Sequence, residues 1–254
     1  GELWVKRDDL TDCLSTGNKI RKLEYLLAEA RGSDCDTVLT CGGLYSNHAR
    51  STAAAAAALG MKTCLFLRGT PPAVAEGNLL LDRILGAHIE YLSAEDYIQR
   101  RDEIMRSYAE RLSSAGHRPY IIPEGGSNTL GSWGYIAAAE EMAHQIHSLN
   151  VPIDGIVCAV GAGGTYTGLW LGTRLLRWNV PIWGINICDT AEYFRERICR
   201  EIQSAVQRNS FPFSLAEEDI HIVDGYVFEG YSEAPACVLG TIQTLAAETG
   251  LILE

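Results

Sequence analysis

Short β-rich apolar runs alternate with helix-length amphipathic segments along the chain, and a glycine or proline turn separates most of them. Strands are predicted at residues 37–41, 62–68, 89–92, 119–123, 155–160, 181–186 and 220–223. Helices are predicted at 47–59, 78–85, 96–115, 133–149, 166–176, 193–207 and 233–249, with another opening at Lys19 after the turn Gly17-Asn18. A parallel strand pair needs a crossover, and a helix between successive strands supplies it. The chain is therefore expected to be α/β, with parallel-rich sheets and helices on both faces. Residues 1–9 read as a further strand and its exit, with no leader ahead of it. The turn-rich stretch 124–131 reads as a hinge, after which a second α/β unit begins.

Composition narrows the partners. A net charge of −11 repels a phosphate backbone, and no Lys/Arg cluster is long enough to reverse that locally, so nucleic acid is not expected. No apolar run reaches the roughly 18 residues that span a bilayer, so no membrane is expected either. The eight cysteines include no CxxC pair, which points to reduced thiols and a cytoplasmic setting. His144 and His147 lie one helical turn apart without a nearby carboxylate or cysteine partner and read as surface residues, and no metal is expected.

Three short stretches have residues suited to chemistry. Ile20, Leu23, Leu26, Leu27 and Ala30 have helical spacing, with Asn18 as a cap, so Lys19 falls in a first turn where the helix dipole opposes a cation. Lys22 adds a second positive charge one turn on, and both effects lower a lysine pKa toward the nucleophilic amine that forms a Schiff base. The same residues also suit a basic, solvated first turn. Gly161-Ala162-Gly163-Gly164-Thr165, between a strand and a helix, lets backbone N–H groups approach an anion. It lacks the Gly-Lys-Ser/Thr of a P-loop, and Tyr166 stands where a dinucleotide fingerprint needs glycine, so a single phosphate fits better than a pyrophosphate. A tight turn without a ligand is the alternative. Gly42-Gly43-Leu44-Tyr45-Ser46-Asn47-His48 places a hydroxyl, an amide and an imidazole at a helix start, where a substrate carboxylate could meet backbone N–H groups, Asn47 a cofactor oxygen, and Ser46 relay a proton. Helix capping is the plainer role for Ser46 or Asn47.

A Schiff-base lysine together with a single-phosphate cradle points to pyridoxal phosphate. Five stretches then make the likeness specific: Gly17-Asn18-Lys19-Ile20-Arg21-Lys22-Leu23-Glu24-Tyr25, Ser46-Asn47-His48, Glu76-Gly77-Asn78-Leu79-Leu80-Leu81-Asp82-Arg83, Pro123-Glu124-Gly125-Gly126-Ser127-Asn128, and the segment from Gly225-Tyr226 to Gly230-Tyr231. The chain resembles, over essentially its whole length, the D-cysteine desulfhydrase and 1-aminocyclopropane-1-carboxylate deaminase family of fold type II (tryptophan synthase β-like) pyridoxal phosphate enzymes. The resemblance implies that Lys19 holds the cofactor covalently and that Lys22 helps with its phosphate. It also implies that Asn47 contacts the ring hydroxyl, and that Ala162, Gly163, Gly164 and Thr165 bind the phosphate. Ser46, Asn47, His48 and Tyr231 are then substrate-binding, with Lys19, Ser46 and Tyr231 catalytic, and the assembly is a homodimer.

Two positions depart from the family pattern: Tyr45 replaces the usual glutamine before Ser-Asn, and Ser232 replaces the glycine after Tyr231. The family continues past Glu254 with a segment bringing a second tyrosine and the residue facing the pyridine nitrogen, and it carries an N-terminal lead-in, so the chain reads as trimmed at both ends. Two domains are expected: a small one, 27–131, inserted in a large cofactor-binding one made of 1–26 and 132–254, with the cofactor between them. The expected reaction is α,β-elimination from a small β-thiol amino acid resembling D-cysteine, giving pyruvate, ammonia and sulfide, with Lys19 as the base at Cα. Deamination of 1-aminocyclopropane-1-carboxylate to 2-oxobutyrate and ammonia is the alternative, a related lyase or cyclase a third, and cofactor binding without turnover a fourth. The Glu-Gly-Asn-Leu-Leu-Leu-Asp-Arg stretch and the histidine after Ser-Asn favour elimination.

Overall fold

A computed structural model describes residues 1–228, 230 and 234–253, so Tyr231 and Ser232 lie outside the described residues. Helices α1 (Lys19–Gly32), α2 (Asn47–Ala58), α3 (Gly77–Ile84), α4 (Ala94–Gln99) and α5 (Arg101–Ser114) interleave with strands β1 (Thr37–Gly43), β2 (Lys62–Arg68), β3 (His88–Leu92) and β4 (Pro119–Ile121). These strands form one parallel sheet in the order β3-β2-β1-β4. After α6 (Trp133–Leu149), a second parallel sheet runs β5 (Ile156–Val160), β6 (Ile182–Asn186) and β7 (His221–Val223), with α7 (Gly164–Leu175) and α8 (Ala191–Asn209) as crossovers. Helix α9 (Ala236–Thr249) follows. The expected α/β alternation with parallel sheets is what the chain forms.

The helical spacing read in α1 is the spacing of its buried stripe. Leu23, Leu26, Leu27 and Ala30 pack with Val38, Ala56, Met61 and Ile122, joining α1 to the first sheet. The opposite side of α1 meets α6 backbone to backbone, because a Cβ on Gly134 would lie 2.1 Å from the Arg21 carbonyl oxygen. Helices α6 and α7 use the same device: Cβ atoms on Gly168 and Gly172, one turn apart, would stand 2.4 and 2.6 Å from the Cβ atoms of Tyr135 and Ala139. Each interior glycine costs a helix about 1 kcal/mol relative to alanine, and here the close approach of the helices requires it. Tyr166 then fastens α7 to the second sheet, its hydroxyl donating to the Ile182 carbonyl at 3.1 Å and accepting from the His221 amide at 2.9 Å. The boundary expected at residue 27 falls inside α1, which packs on both α2 and α6.

Several expectations are corrected. Residues 1–7 form no strand; they lead without regular structure into a 3-10 turn at Asp8–Leu10, held by Asp8, which accepts from Arg21 at 2.9 Å and from the Tyr135 hydroxyl at 2.5 Å. An apolar run with no neighbouring strand to pair with has no ladder to join. The single helix expected at 96–115 is two, α4 and α5, broken at Arg100, whose φ of −133° and ψ of −1° leave the helical region. Helix α7 starts at Gly164, earlier than the expected 166, and β4 stops at Ile121 although the Ile122 amide still bonds Leu39 O at 2.8 Å. Among the described residues, no helix is long and apolar enough to cross a membrane.

Candidate cofactor and substrate site

Lys19 opens α1, half-buried, and its Nζ donates to Asn18 Oδ1 at 2.9 Å. Asn18 was expected to cap α1, but its backbone is already helical (φ −64°, ψ −19°) and its side chain makes no cap. Its amide instead donates from Nδ2 to Thr165 Oγ1 at 3.2 Å, tying the lysine to the glycine turn across 147 residues of sequence. A cap residue keeps a non-helical backbone; this one has given up that role to bridge Lys19 and Thr165.

Lys22, one turn on, is 2% exposed. Its ammonium reaches neutral oxygens, Gly125 O at 3.2 Å and Ser127 Oγ at 3.3 Å. Burial, followed by the positive charge of Lys19, holds its pKa well below the ordinary lysine range. Ser127 also accepts from the Gly164 amide at 3.3 Å. The stretch read as a hinge is thus one wall of the site: Gly125 and Gly126 take φ of 65° and 61°, and a Cβ on Gly125 would lie 2.9 Å from Ala162 Cβ. Ser127 escaped sequence reasoning because its neighbours are the residues of any turn.

The turn Gly161-Ala162-Gly163 ends β5 and starts α7 on Gly163, which has φ 85° and makes no side-chain cap. A Cβ on Gly164 would stand 2.6 Å from Ser127 Oγ and 3.0 Å from its Cα. Backbone donors, the positive end of a twelve-residue helix and a buried lysine with neutral partners therefore converge on one place. A phosphate there would return to Lys22 the charge that burial suppresses, so these residues fit a phosphate-bearing cofactor.

Ser46, Asn47 and His48 lie at the start of α2. Ser46 is its N-cap, with Oγ accepting from the Ala49 amide at 3.2 Å. Asn47 Oδ1 accepts from Asn78 Nδ2 at 2.7 Å and from Arg50 at 3.3 Å, and Asn78 also donates to Tyr45 O at 2.8 Å. The Glu-Gly-Asn stretch thus braces this turn, a role its sequence does not announce. His48 is buried and its Nε2 lies 2.8 Å from Thr40 Oγ1. Burial, then Lys19 and Lys22, push its pKa down to about 3, so the ring is neutral. Tyr45 is half exposed, and His144 and His147 are exposed on α6.

Comparison with known proteins gives the site its setting. The profile of the family described as pyridoxal-phosphate dependent enzyme matches residues 1–254. A Thermotoga maritima protein, named provisionally as a 1-aminocyclopropane-1-carboxylate deaminase, is 42% identical over 253 residues, 99% of this chain and 79% of its own length. The Arabidopsis thaliana mitochondrial protein named bifunctional D-cysteine desulfhydrase/1-aminocyclopropane-1-carboxylate deaminase is 37% identical over 261 residues, all of this chain and 64% of its own. A crystal structure of an ACC deaminase homologue superposes with a TM-score of 0.89 at 36% identity, over 98% of this chain and 74% of that one. The fold is that of the fold type II enzymes, and the chain belongs to the pyridoxal-phosphate dependent enzyme family.

Proposed function

We propose that this enzyme is a lyase acting on a small amino acid, and that its reaction is α,β-elimination from a β-thiol substrate resembling D-cysteine. The observation that carries the reading is the pair of linked lysines: Lys19 bonded through Asn18 to Thr165, and Lys22 buried beside Ser127 and the start of α7. Lys19 would hold the aldehyde end of pyridoxal phosphate. Lys22, Ala162, Gly163, Gly164 and Thr165 would hold its phosphate, and Asn47 its ring hydroxyl. When bound, the cofactor supplies an electron sink for the pair left at the substrate Cα.

This chain's own residues do the rest. Lys19 Nζ takes the proton from Cα. Ser46, His48 and Tyr231 face the substrate, with the buried His48 ring neutral beside Thr40. Deamination of 1-aminocyclopropane-1-carboxylate is the second reading, favoured by the name carried by the Thermotoga relative and by the homologue of known structure. The small domain at 27–131, a homodimer and a cytoplasmic setting belong to the same proposal.

The test measures sulfide and pyruvate from D- and L-cysteine alongside 2-oxobutyrate from the cyclopropane amino acid, in wild type and Lys19→Ala. Wild type is expected to release sulfide and to show visible absorbance of bound cofactor. Lys19→Ala is expected to lose about 10³-fold or more in turnover, since it removes both the covalent anchor and the base. Full turnover in that variant sinks the assignment of Lys19, and 2-oxobutyrate without sulfide selects the second reading.

A further inference from the structure

We propose that Arg50 is a positioning residue that fixes the loop carrying Lys19 against the turn carrying Ser46 and Asn47. Arg50 lies on α2, one turn after the cap, its amide bonded to Ser46 O at 3.1 Å, and it is 4% exposed. Its guanidinium leaves the helix and spans three partners. Nη1 donates to the Leu14 carbonyl, and Nη2 to Thr16 O at 3.4 Å and Asn47 Oδ1 at 3.3 Å. Ser51 adds a bond from Oγ to Thr16 O at 3.5 Å.

The segment it grips has no regular structure between the 3-10 turn at Asp8–Leu10 and Lys19, so carbonyls there have no ladder of their own. A charged fork satisfies two of them and Asn47 at once, and charge-assisted bonds are roughly twice as strong as neutral ones. Lysine has a point charge in place of the planar fork and would hold fewer of these partners. Behind it, Asp82 on α3 is fully buried with neither carboxylate oxygen hydrogen-bonded. Arg50 is the charge that opposes the upward push of burial on that carboxyl. Arg50 thus joins the Asn47 turn and the lysine loop, and the spacing between Lys19 and Asn47 is set through it. Its catalytic meaning rests on the roles proposed above for those two residues.

The experiment is amide hydrogen exchange by mass spectrometry on the cofactor-free protein, comparing wild type, Arg50→Ala and Arg50→Lys. Exchange over residues 12–18 is expected to rise about 10- to 100-fold in Arg50→Ala, the equivalent of one or two charge-assisted bonds. Arg50→Lys should fall between it and wild type, with β5 and α7 unchanged in both. Wild-type exchange over 12–18 in a folded Arg50→Ala overturns the proposal, as does a rise of equal size across the whole chain. Should Arg50→Ala not fold, Arg50→Lys decides by the same two criteria. A wild-type protein that develops no visible absorbance with pyridoxal phosphate overturns the functional reading instead, and the exchange result is read without it.

Discussion

The two strand-to-helix turns of the site share a topology and treat their helix starts in opposite ways. Where β1 passes into α2, Ser46 takes an extended backbone (φ −61°, ψ 123°) and its own hydroxyl accepts the Ala49 amide. Where β5 passes into α7, Gly163 takes φ 85° and brings no side chain. A helix start has amides that need acceptors. At the first turn one is answered from within and the site receives side chains: a hydroxyl, an amide and a neutral imidazole. At the second the acceptor must come from elsewhere, and the helix dipole favours an anion. On the function proposed above, the cofactor phosphate belongs to the uncapped turn and the substrate to the capped one.

The largest effect is expected from His48, whose titration couples the capped turn to Lys19 and Lys22. Its folded pKa is depressed from 6.5 to about 3, by burial first and then by Lys19 and Lys22. A depressed base stabilises the fold above its unfolded pKa and loses that contribution as pH falls from about 6.5 toward 3. The full shift of several units corresponds to about 3 kcal/mol or more. Urea unfolding at pH 7 and pH 4 should show that loss in wild type, and His48→Gln, neutral at both, should show much less of it. Equal acid sensitivity in the two proteins would show that the His48 ring is not the group that burial and the lysines hold neutral.

A smaller effect sharpens the contrast directly. In Gly164→Ala the new methyl meets Ser127 Oγ at 2.6 Å and also Ser127 Cβ and Cα at 2.9 and 3.0 Å. The hydroxyl can rotate away, but the other two atoms cannot. Overpacking of this kind costs about 2 kcal/mol, more than the roughly 1 kcal/mol that alanine gains over glycine in a helix. Cofactor affinity, followed by visible absorbance, should weaken by the net of about 1 kcal/mol, about 5-fold. At the capped turn, a Cβ on Gly43 meets nothing within 4 Å, so Gly43→Ala should bind the cofactor within about 2-fold of wild type. Equal losses in both variants would remove the distinction between the turns.

The legibility of these features follows their range in sequence. Most of the strand and helix rhythm, the buried stripe of α1 and the strand-to-helix geometry of the glycine turn are local patterns, and these read correctly because their causes lie within a few residues. The same reasoning gave Asn18 a cap, since a polar residue before a helix usually is one. The partner that diverted it, Thr165, is 147 positions away. The contacts of Ser127 and Asn78 were hidden for the same reason, although both lie in stretches that carry the family likeness. The helix break at Arg100 carries no glycine or proline to mark it. At the amino end, an apolar run resembles a strand until one asks what it could pair with.

The smallest expected effect bears on Ser46, whose hydroxyl is both the observed cap and the group proposed to face the substrate. Ser46→Ala leaves the Ala49 amide without its acceptor and should cost about 1 kcal/mol, a fall of about 2–4 °C in Tm for a chain of this size. That loss alone cannot tell capping from chemistry. Ser46→Gly can, because glycine at a cap position costs only a few tenths of a kcal/mol while removing the same hydroxyl. Turnover lost equally in both variants, with Tm recovered only in the glycine one, places the oxygen in the reaction. Should turnover instead track Tm, the hydroxyl is a cap alone, and the substrate side of the capped turn rests on Asn47 and His48.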